Sequence, residues 1–412
     1  MILAVQELKP SDTASLDKKN VLALLTETGG ITSHAAIIAK SYGIPTVLGI
    51  PHLMDIVKHG QTAAVNADEG IVILDPDEEV ADVYEKKCEA FRRDRQDAQT
   101  FQSRQAYTGC GVKIDIGLNI AGVADEDLQA AHYTDFVGLF RTEFLFMGRD
   151  TLPDEEEQVS VYRKVLECYK ERPVIMRTLD VGGDKPLSSM AIPREENPFL
   201  GNRALRFCFT HPDIFKSQIR AAFNACAFGN LWLMLPMVSS IDDIRKAREI
   251  IAEACLEMDG DKGISPEVKI GIMVEIPSVA LVAEHAAKEA DFASIGSNDL
   301  CQYVCAADRM NSAVEPYYQS YHPAMFKLIR DTVSAFEKEG KPVSICGELA
   351  ADILALPVLI GLGLRKLSMG AASVAAVKRA IASLSLAKCE ETAAQVLECA
   401  TAADVKKLLE EK

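Results

Sequence analysis

The sequence predicts an α/β protein in which a (β/α)8 TIM-like barrel follows a partial small α/β domain and a charged linker helix. Three observations carry that expectation. Beyond Gly109, eight short apolar runs recur over about 300 residues, with helical segments between most of them. Several runs are apolar throughout, as strands buried on both faces must be. Between Asp77 and Gln105 the composition turns to Glu, Lys, Arg, Asp and Gln, which separates the runs from a shorter α/β stretch ahead of them. A doubly wound open sheet is the competing architecture, but no GxGxxG follows the first run and the count favours the barrel.

At 412 residues the chain exceeds one comfortable core, so two domains or one large barrel is expected. The net charge of −16 argues against a general nucleic-acid binder, which needs basic patches. It leaves room for a small anionic substrate, which needs only a local cluster of arginines. The eleven cysteines form no CxxC pair or zinc spacing and, with no signal peptide, read as reduced thiols of a cytoplasmic protein. No apolar run is long enough to span a membrane.

Residues 1–76 form the first expected unit. Ile2 to Val5, Val21 to Leu25, Thr46 to Leu48 and Ile71 to Leu74 read as strands, and Asp68-Glu69-Gly70 as a turn. Between the second and third lies Gly29-Gly30-Ile31-Thr32-Ser33-His34-Ala35-Ala36-Ile37-Ile38-Ala39-Lys40. Two glycines open the backbone, Thr32 or Ser33 can cap, and a helix over Ala35 to Lys40 stops at Gly43. His34 would then stand in a first helical turn, where free N–H groups favour an anion on its ring. A capping loop with an ordinary surface histidine is the competing reading of that stretch alone.

Residues 77–108 read as a mostly exposed linker helix between two moving bodies. Residues 109–412 carry the barrel strands: Val112 to Ile116, Phe136 to Phe140, Val174 to Leu179, Leu231 to Met237, Lys269 to Ile276, Phe292 to Ile295, Pro342 to Cys346, and Lys366 to Met369. In such barrels the site lies at the C-terminal strand ends. There the sequence places Arg141, Arg177 and Lys185, fit for a phosphate or carboxylate. Glu275 and Asp299 are two hard oxygen ligands suited to Mg²⁺. Cys346 is either a small buried residue or a thiol tuned for proton transfer.

Six motifs carry a resemblance through essentially the whole chain. They are the His34 stretch, Gly138 to Phe146, Arg177 to Lys185, Asn197 to Arg203, Ser294 to Leu300, and Cys346-Gly347-Glu348. Together they resemble enzyme I of the bacterial phosphoenolpyruvate:sugar phosphotransferase system, the phosphoenolpyruvate–protein phosphotransferases. The resemblance implies that His34 is the phosphorylated histidine. It implies that Arg141, Arg177 and Arg309 hold phosphoenolpyruvate, with Lys185, Arg203, Asn298 and Asp299 close by. It makes Glu275 and Asp299 the Mg²⁺ ligands and Cys346 the acid that protonates the enolate carbon, giving pyruvate. It further implies delivery of the phosphoryl group to the carrier protein HPr, in sugar uptake, and a homodimer formed through the barrel.

Two departures from the family pattern stand out. Members carry, ahead of this chain's Met1, further phosphohistidine-domain sequence and a helical subdomain that docks HPr, so residues 1–76 are expected to be a partial phosphohistidine domain. Ile31 stands where many members have a basic residue. The alternative function is therefore a phosphoenolpyruvate-binding or regulatory protein that dimerises without completing transfer to HPr. A related dikinase or phosphoenolpyruvate synthase is disfavoured, because no Gly-rich phosphate loop with a following lysine is present.

Overall fold

The computed structural model describes residues 1–7, 20–28, 44–67, 69–124, 128–183, 185, 187–190, 192–193, 195–259 and 268–412. The His34 stretch lies outside the described residues. Contacts divide the chain into two units, one of residues 1–100 with 307–318 and one of residues 101–306 with 319–412.

In the first unit β1 (Ile2–Val5), β2 (Ala23–Thr26) and β3 (Thr46–Val47) form a parallel sheet in that order. β2 is the central strand and is buried along its whole length, as its apolar run demands. β4 (Ala63–Asn66) and β5 (Ile71–Leu74) make an antiparallel hairpin. Leu25, Val47 and Leu53 form the core here, with Val65 and Val72 packed against them. The charged stretch is a helix over Glu78–Gln99, started by Asp77, whose side chain accepts from the Val80 N–H; Ala98 is its one buried residue.

The second unit is the closed barrel. Strands β7 (Lys113–Ile120), β8 (Phe136–Phe140), β9 (Val174–Arg177), β10 (Leu231–Leu235), β11 (Lys269–Val274), β12 (Ala293–Gly296), β13 (Val343–Cys346) and β14 (Lys366–Met369) pair in sequence order, all parallel. β14 closes on β7. A short β6 (Ala106–Tyr107) pairs antiparallel with β7. All eight expected strands are present, and β8 and β14 have the expected bounds. β7 runs on past Ile116 through Gly117. There a Cβ would stand 2.6 Å from the Phe136 ring, so the glycine that interrupts the apolar pattern makes room for an aromatic. β10 stops short of Met237, which has a φ of 54°. Phe136, Leu139, Ile175, Trp232, Met234, Met273, Phe292 and Cys346 pack together in one buried cluster.

Candidate active site

Because the strands are parallel and closed, their C-terminal ends share one rim. Arg141 follows β8 and is tied to β7 by its backbone N–H, which donates to Ile120 O at 2.9 Å. Arg177 ends β9. Glu275 follows β11. Asn298 and Asp299 lie in the first turn of helix Ser297–Cys305, directly after β12. Cys346 ends β13. Arg309 lies in residues 307–318, which group with the first unit.

Asp180 is the hub of the rim. It is fully buried and receives Arg177 Nη1 at 3.1 Å, Lys185 Nζ at 2.5 Å, and Arg203 Nε and Nη2 at 2.8 and 3.0 Å. Burial alone would raise its pKa, but Lys185, Arg177 and Arg203 hold the carboxyl well below the usual range. Arg177 Nη2 also donates to Glu143 Oε1 at 3.0 Å, and the same oxygen accepts the Asp180 N–H at 3.2 Å. Burial works against the charge on Arg177 and Arg203. Glu143 and Asp180 more than restore it on Arg177, and Asp180 with Asp299 on Arg203, so both guanidiniums are held firmly charged. Gly182 lets the loop carrying Lys185 press on the segment carrying Arg203. Its φ is 87°, and a Cβ would meet Asn202 O at 2.2 Å.

The acid pair has a different character. Glu275 is fully buried; its Oε1 accepts the Met237 N–H at 2.6 Å, while its Oε2 has no hydrogen-bond partner among the described residues. Gly296 leaves room beside that oxygen, since a Cβ there would lie 3.0 Å from it. Burial first, then repulsion from Asp299 and Asp180, push the Glu275 carboxyl up to about 7. Asp299 Oδ1 lies 3.4 Å from Arg203 Nη1. An orphaned buried oxygen on a carboxyl that shares its site with a second acid fits a cation. Among the described residues no three His, Cys, Asp or Glu group to hold a metal by themselves. An ion here would therefore draw its remaining ligands from substrate and water, as Mg²⁺ does.

Ser297 Oγ donates to Cys346 O at 3.1 Å, and Asn298 Oδ1 accepts the Glu348 N–H at 3.0 Å, so the ends of β12 and β13 are stitched together. The Cys346 thiol touches Ser294 Oγ at 3.5 Å and Ile295 O at 3.6 Å. Burial pushes that thiol up, against the pull of Ser294, so it keeps its proton. The structure thus brings Arg177, Lys185, Arg203 and Asp299 into one bonded network, with Glu275 beside Asp299. Glu143 and Asp180 hold the cations in place and are not among the sequence-derived site residues. Their signal lies in the motif text, since each stands within three residues of a rim arginine.

A rim of buried arginines beside a pair of carboxyls suits a small anionic substrate, and the chain belongs to the PEP-utilising enzymes. Residues 95–386 match their PEP-binding domain and residues 1–70 their mobile domain. Within that class its family is the phosphoenolpyruvate–protein phosphotransferases. It is 42% identical over 413 residues to the phosphoenolpyruvate-protein phosphotransferase of Staphylococcus carnosus (strain TM300), covering 100% of this chain and 72% of that protein. The protein of the same name from Priestia megaterium is 42% identical over 392 residues, covering 95% of this chain and 68% of the relative. The one from Bacillus subtilis (strain 168) is 40% identical over 406 residues, covering 98% and 71%. Among the described residues no helix is long and apolar enough to cross a membrane.

Proposed function

We propose that this chain transfers the phosphoryl group of phosphoenolpyruvate to its own His34 and releases pyruvate, with HPr as the next acceptor. The observation that carries the reading is the pairing of the Asp180-centred cations with the orphaned oxygen of Glu275. Arg141 and Arg177 would grip the substrate's phosphate and carboxylate through charge-assisted hydrogen bonds. Lys185 and Arg203 add positive charge from a dry site, where it acts strongly on developing phosphoryl charge. Asn298 would complete the cradle, and the family resemblance assigns Arg309 to the same substrate. Glu275 and Asp299 would hold Mg²⁺, as is general for PEP-utilising enzymes; when bound it supplies charge stabilisation to phosphoryl oxygens. The protonated Cys346 thiol would deliver a proton to the enol carbon, leaving pyruvate.

In this reading residues 1–76 are the part that presents His34, residues 77–108 the connector, and residues 109–412 the substrate barrel. Transfer then needs the two parts to close and delivery needs them to open. A homodimer through the barrel and a cytoplasmic location go with the same reading.

The test is incubation with labelled phosphoenolpyruvate and Mg²⁺, reading acid-labile, base-stable label on the protein. Label is expected on the wild type and on none of His34→Ala, Arg177→Ala and Asp299→Ala. Label on His34→Ala would overturn the assignment of the acceptor. Substrate binding without any label on the wild type would favour the binding-protein alternative.

A further inference from the structure

Gln218 is fully buried on helix Pro212–Ala225, outside the rim, yet every polar atom of its side chain is used. Its Oε1 accepts the Leu179 N–H at 2.8 Å. Its Nε2 donates to Thr142 Oγ1 at 3.0 Å and to Tyr162 OH at 3.4 Å. Thr142 Oγ1 in turn donates to Arg177 O at 3.1 Å. The polarity of this circuit is forced. The Leu179 N–H can only donate, so the amide oxygen must face it and the NH₂ must face the hydroxyls. Thr142 then has its one proton left for Arg177 O.

The circuit starts at Leu179, crosses to the end of the neighbouring strand at Thr142, and returns to Arg177. It therefore locks two strand ends together from behind. Those ends carry Arg141 and Glu143 on one side and Arg177 and Asp180 on the other. Tyr162 OH, which donates to Gln158 Oε1 at 3.0 Å, anchors the amide from a second helix, Glu155–Tyr169. A core helix facing two apolar strands could fill this place with Leu or Met at no desolvation cost. A fully satisfied buried amide instead fixes a spacing, because its bonds are directional and costly to leave unmade.

We infer that Gln218 is a positioning residue that sets the separation of Arg141 and Arg177 and so the fit of the cationic cradle to phosphoenolpyruvate. It acts through Thr142 and the Arg177 carbonyl and touches no substrate. The inference rests on the reading of the rim as a phosphoenolpyruvate site.

The experiment measures phosphoenolpyruvate affinity in the presence of Mg²⁺ by calorimetry, together with an apparent kcat/KM for pyruvate release, taken from single-turnover rates against phosphoenolpyruvate concentration. The full chain is compared with Gln218→Met, Thr142→Val, the double variant, and Thr134→Val. The last removes a buried hydroxyl that bonds Ala130 O and Tyr169 OH far from the circuit, and serves as the stability control. Gln218→Met and Thr142→Val are each expected to lower kcat/KM by about 10- to 100-fold, the scale of an ångström-level misplacement. The double variant should fall little further, since both cut one circuit. Thr134→Val should lower Tm with kcat/KM unchanged. Should Gln218→Met fail to fold, Thr142→Val cuts the same circuit at its other end and carries the test. A Tm loss like that of Thr134→Val with kcat/KM within twofold of wild type would overturn the inference alone. A wild type that bound no phosphoenolpyruvate would overturn the reading of the rim and this inference with it.

Discussion

Arg203 holds Asp180 through two nitrogens at once, Nε to Oδ1 at 2.8 Å and Nη2 to Oδ2 at 3.0 Å, with both side chains fully buried. A pair this dry survives only because each charge is fully met. Since Asp180 also receives Arg177 and Lys185, it is the counter-charge that lets three cations stand together at the barrel rim.

Asp180→Asn should therefore be costly on two counts. Three cations lose their common anion, and breaking a buried pair typically destabilises by about 3–5 kcal/mol. The depressed pKa of Asp180 gives the pH signature. A carboxyl held below its unfolded value stabilises the fold above that value, about 3.9, and its contribution is lost as pH falls through the folded pKa. Urea unfolding at pH 7 should show the full gap between wild type and Asp180→Asn, and the gap should narrow as the pH is taken below the unfolded value of about 3.9. A gap constant with pH would show that Asp180 contributes through packing alone.

Glu275 runs the other way. Its folded pKa is raised to about 7 while the unfolded value is about 4.3. In metal-free protein its contribution is fully present below the unfolded value and is lost as pH rises toward 7, at up to about 1.4 kcal/mol per pH unit. Glu275→Gln has nothing to titrate, so its stability should pass wild type as the pH climbs from 5 to 8 in chelator. Adding Mg²⁺ at pH 8 should raise the Tm of wild type and leave that of Glu275→Gln unmoved. Parallel stability curves with and without the ion would sink the assignment of Glu275 as a cation ligand.

The barrel was legible in the sequence because its strands are buried on both faces and so carry nearly unbroken apolar runs. Phe136–Phe140 and Leu231–Leu235 are the clearest cases. Ends were less legible where a polar contact stops the ladder. β10 and β11 end where Met237 turns to a positive φ and gives its N–H to Glu275, a tertiary event with no local signal. Arg141, Arg177, Glu275 and Asp299 could be set at strand ends from strand order, whereas Arg203 came only with the family resemblance. Asp180 could not be read as a hub, since an acid before Val181-Gly182-Gly183 looks like a turn residue. Gln218 was invisible, since a glutamine in a helix reads as solvent-facing until the fold puts strand ends against it.

Close packing inside the barrel gives a prediction independent of catalysis. An added Cβ at Gly271 would lie 2.5 Å from Phe292 ring atoms, and Phe292 belongs to the buried cluster shared with Trp232 and Cys346. Gly271→Ala should lower stability by about 1–3 kcal/mol through overpacking. Phe292→Leu combined with it should recover part of the loss, because the smaller side chain yields the space. The check is the melting temperature of the three variants; a Gly271→Ala protein as stable as wild type would mean the ring can shift freely.

Cys346 ends β13 within the same apolar cluster, and its thiol is kept protonated by burial. A thiol that holds its proton at neutral pH is a poor nucleophile and a usable acid. If it delivers the proton to the enol carbon, Cys346→Ala should separate the two halves of the reaction. Phosphorylation of His34 draws on the cations of the rim and should persist in a single turnover. Pyruvate formation should slow by about 100- to 10,000-fold, the usual contribution of a placed general acid. Rapid quench for labelled protein, run alongside a coupled assay for pyruvate, reads both. Label appearing ahead of pyruvate in the variant and together with it in wild type is the expected result. Equal loss of both would place Cys346 in the packing of the rim instead of in the proton transfer.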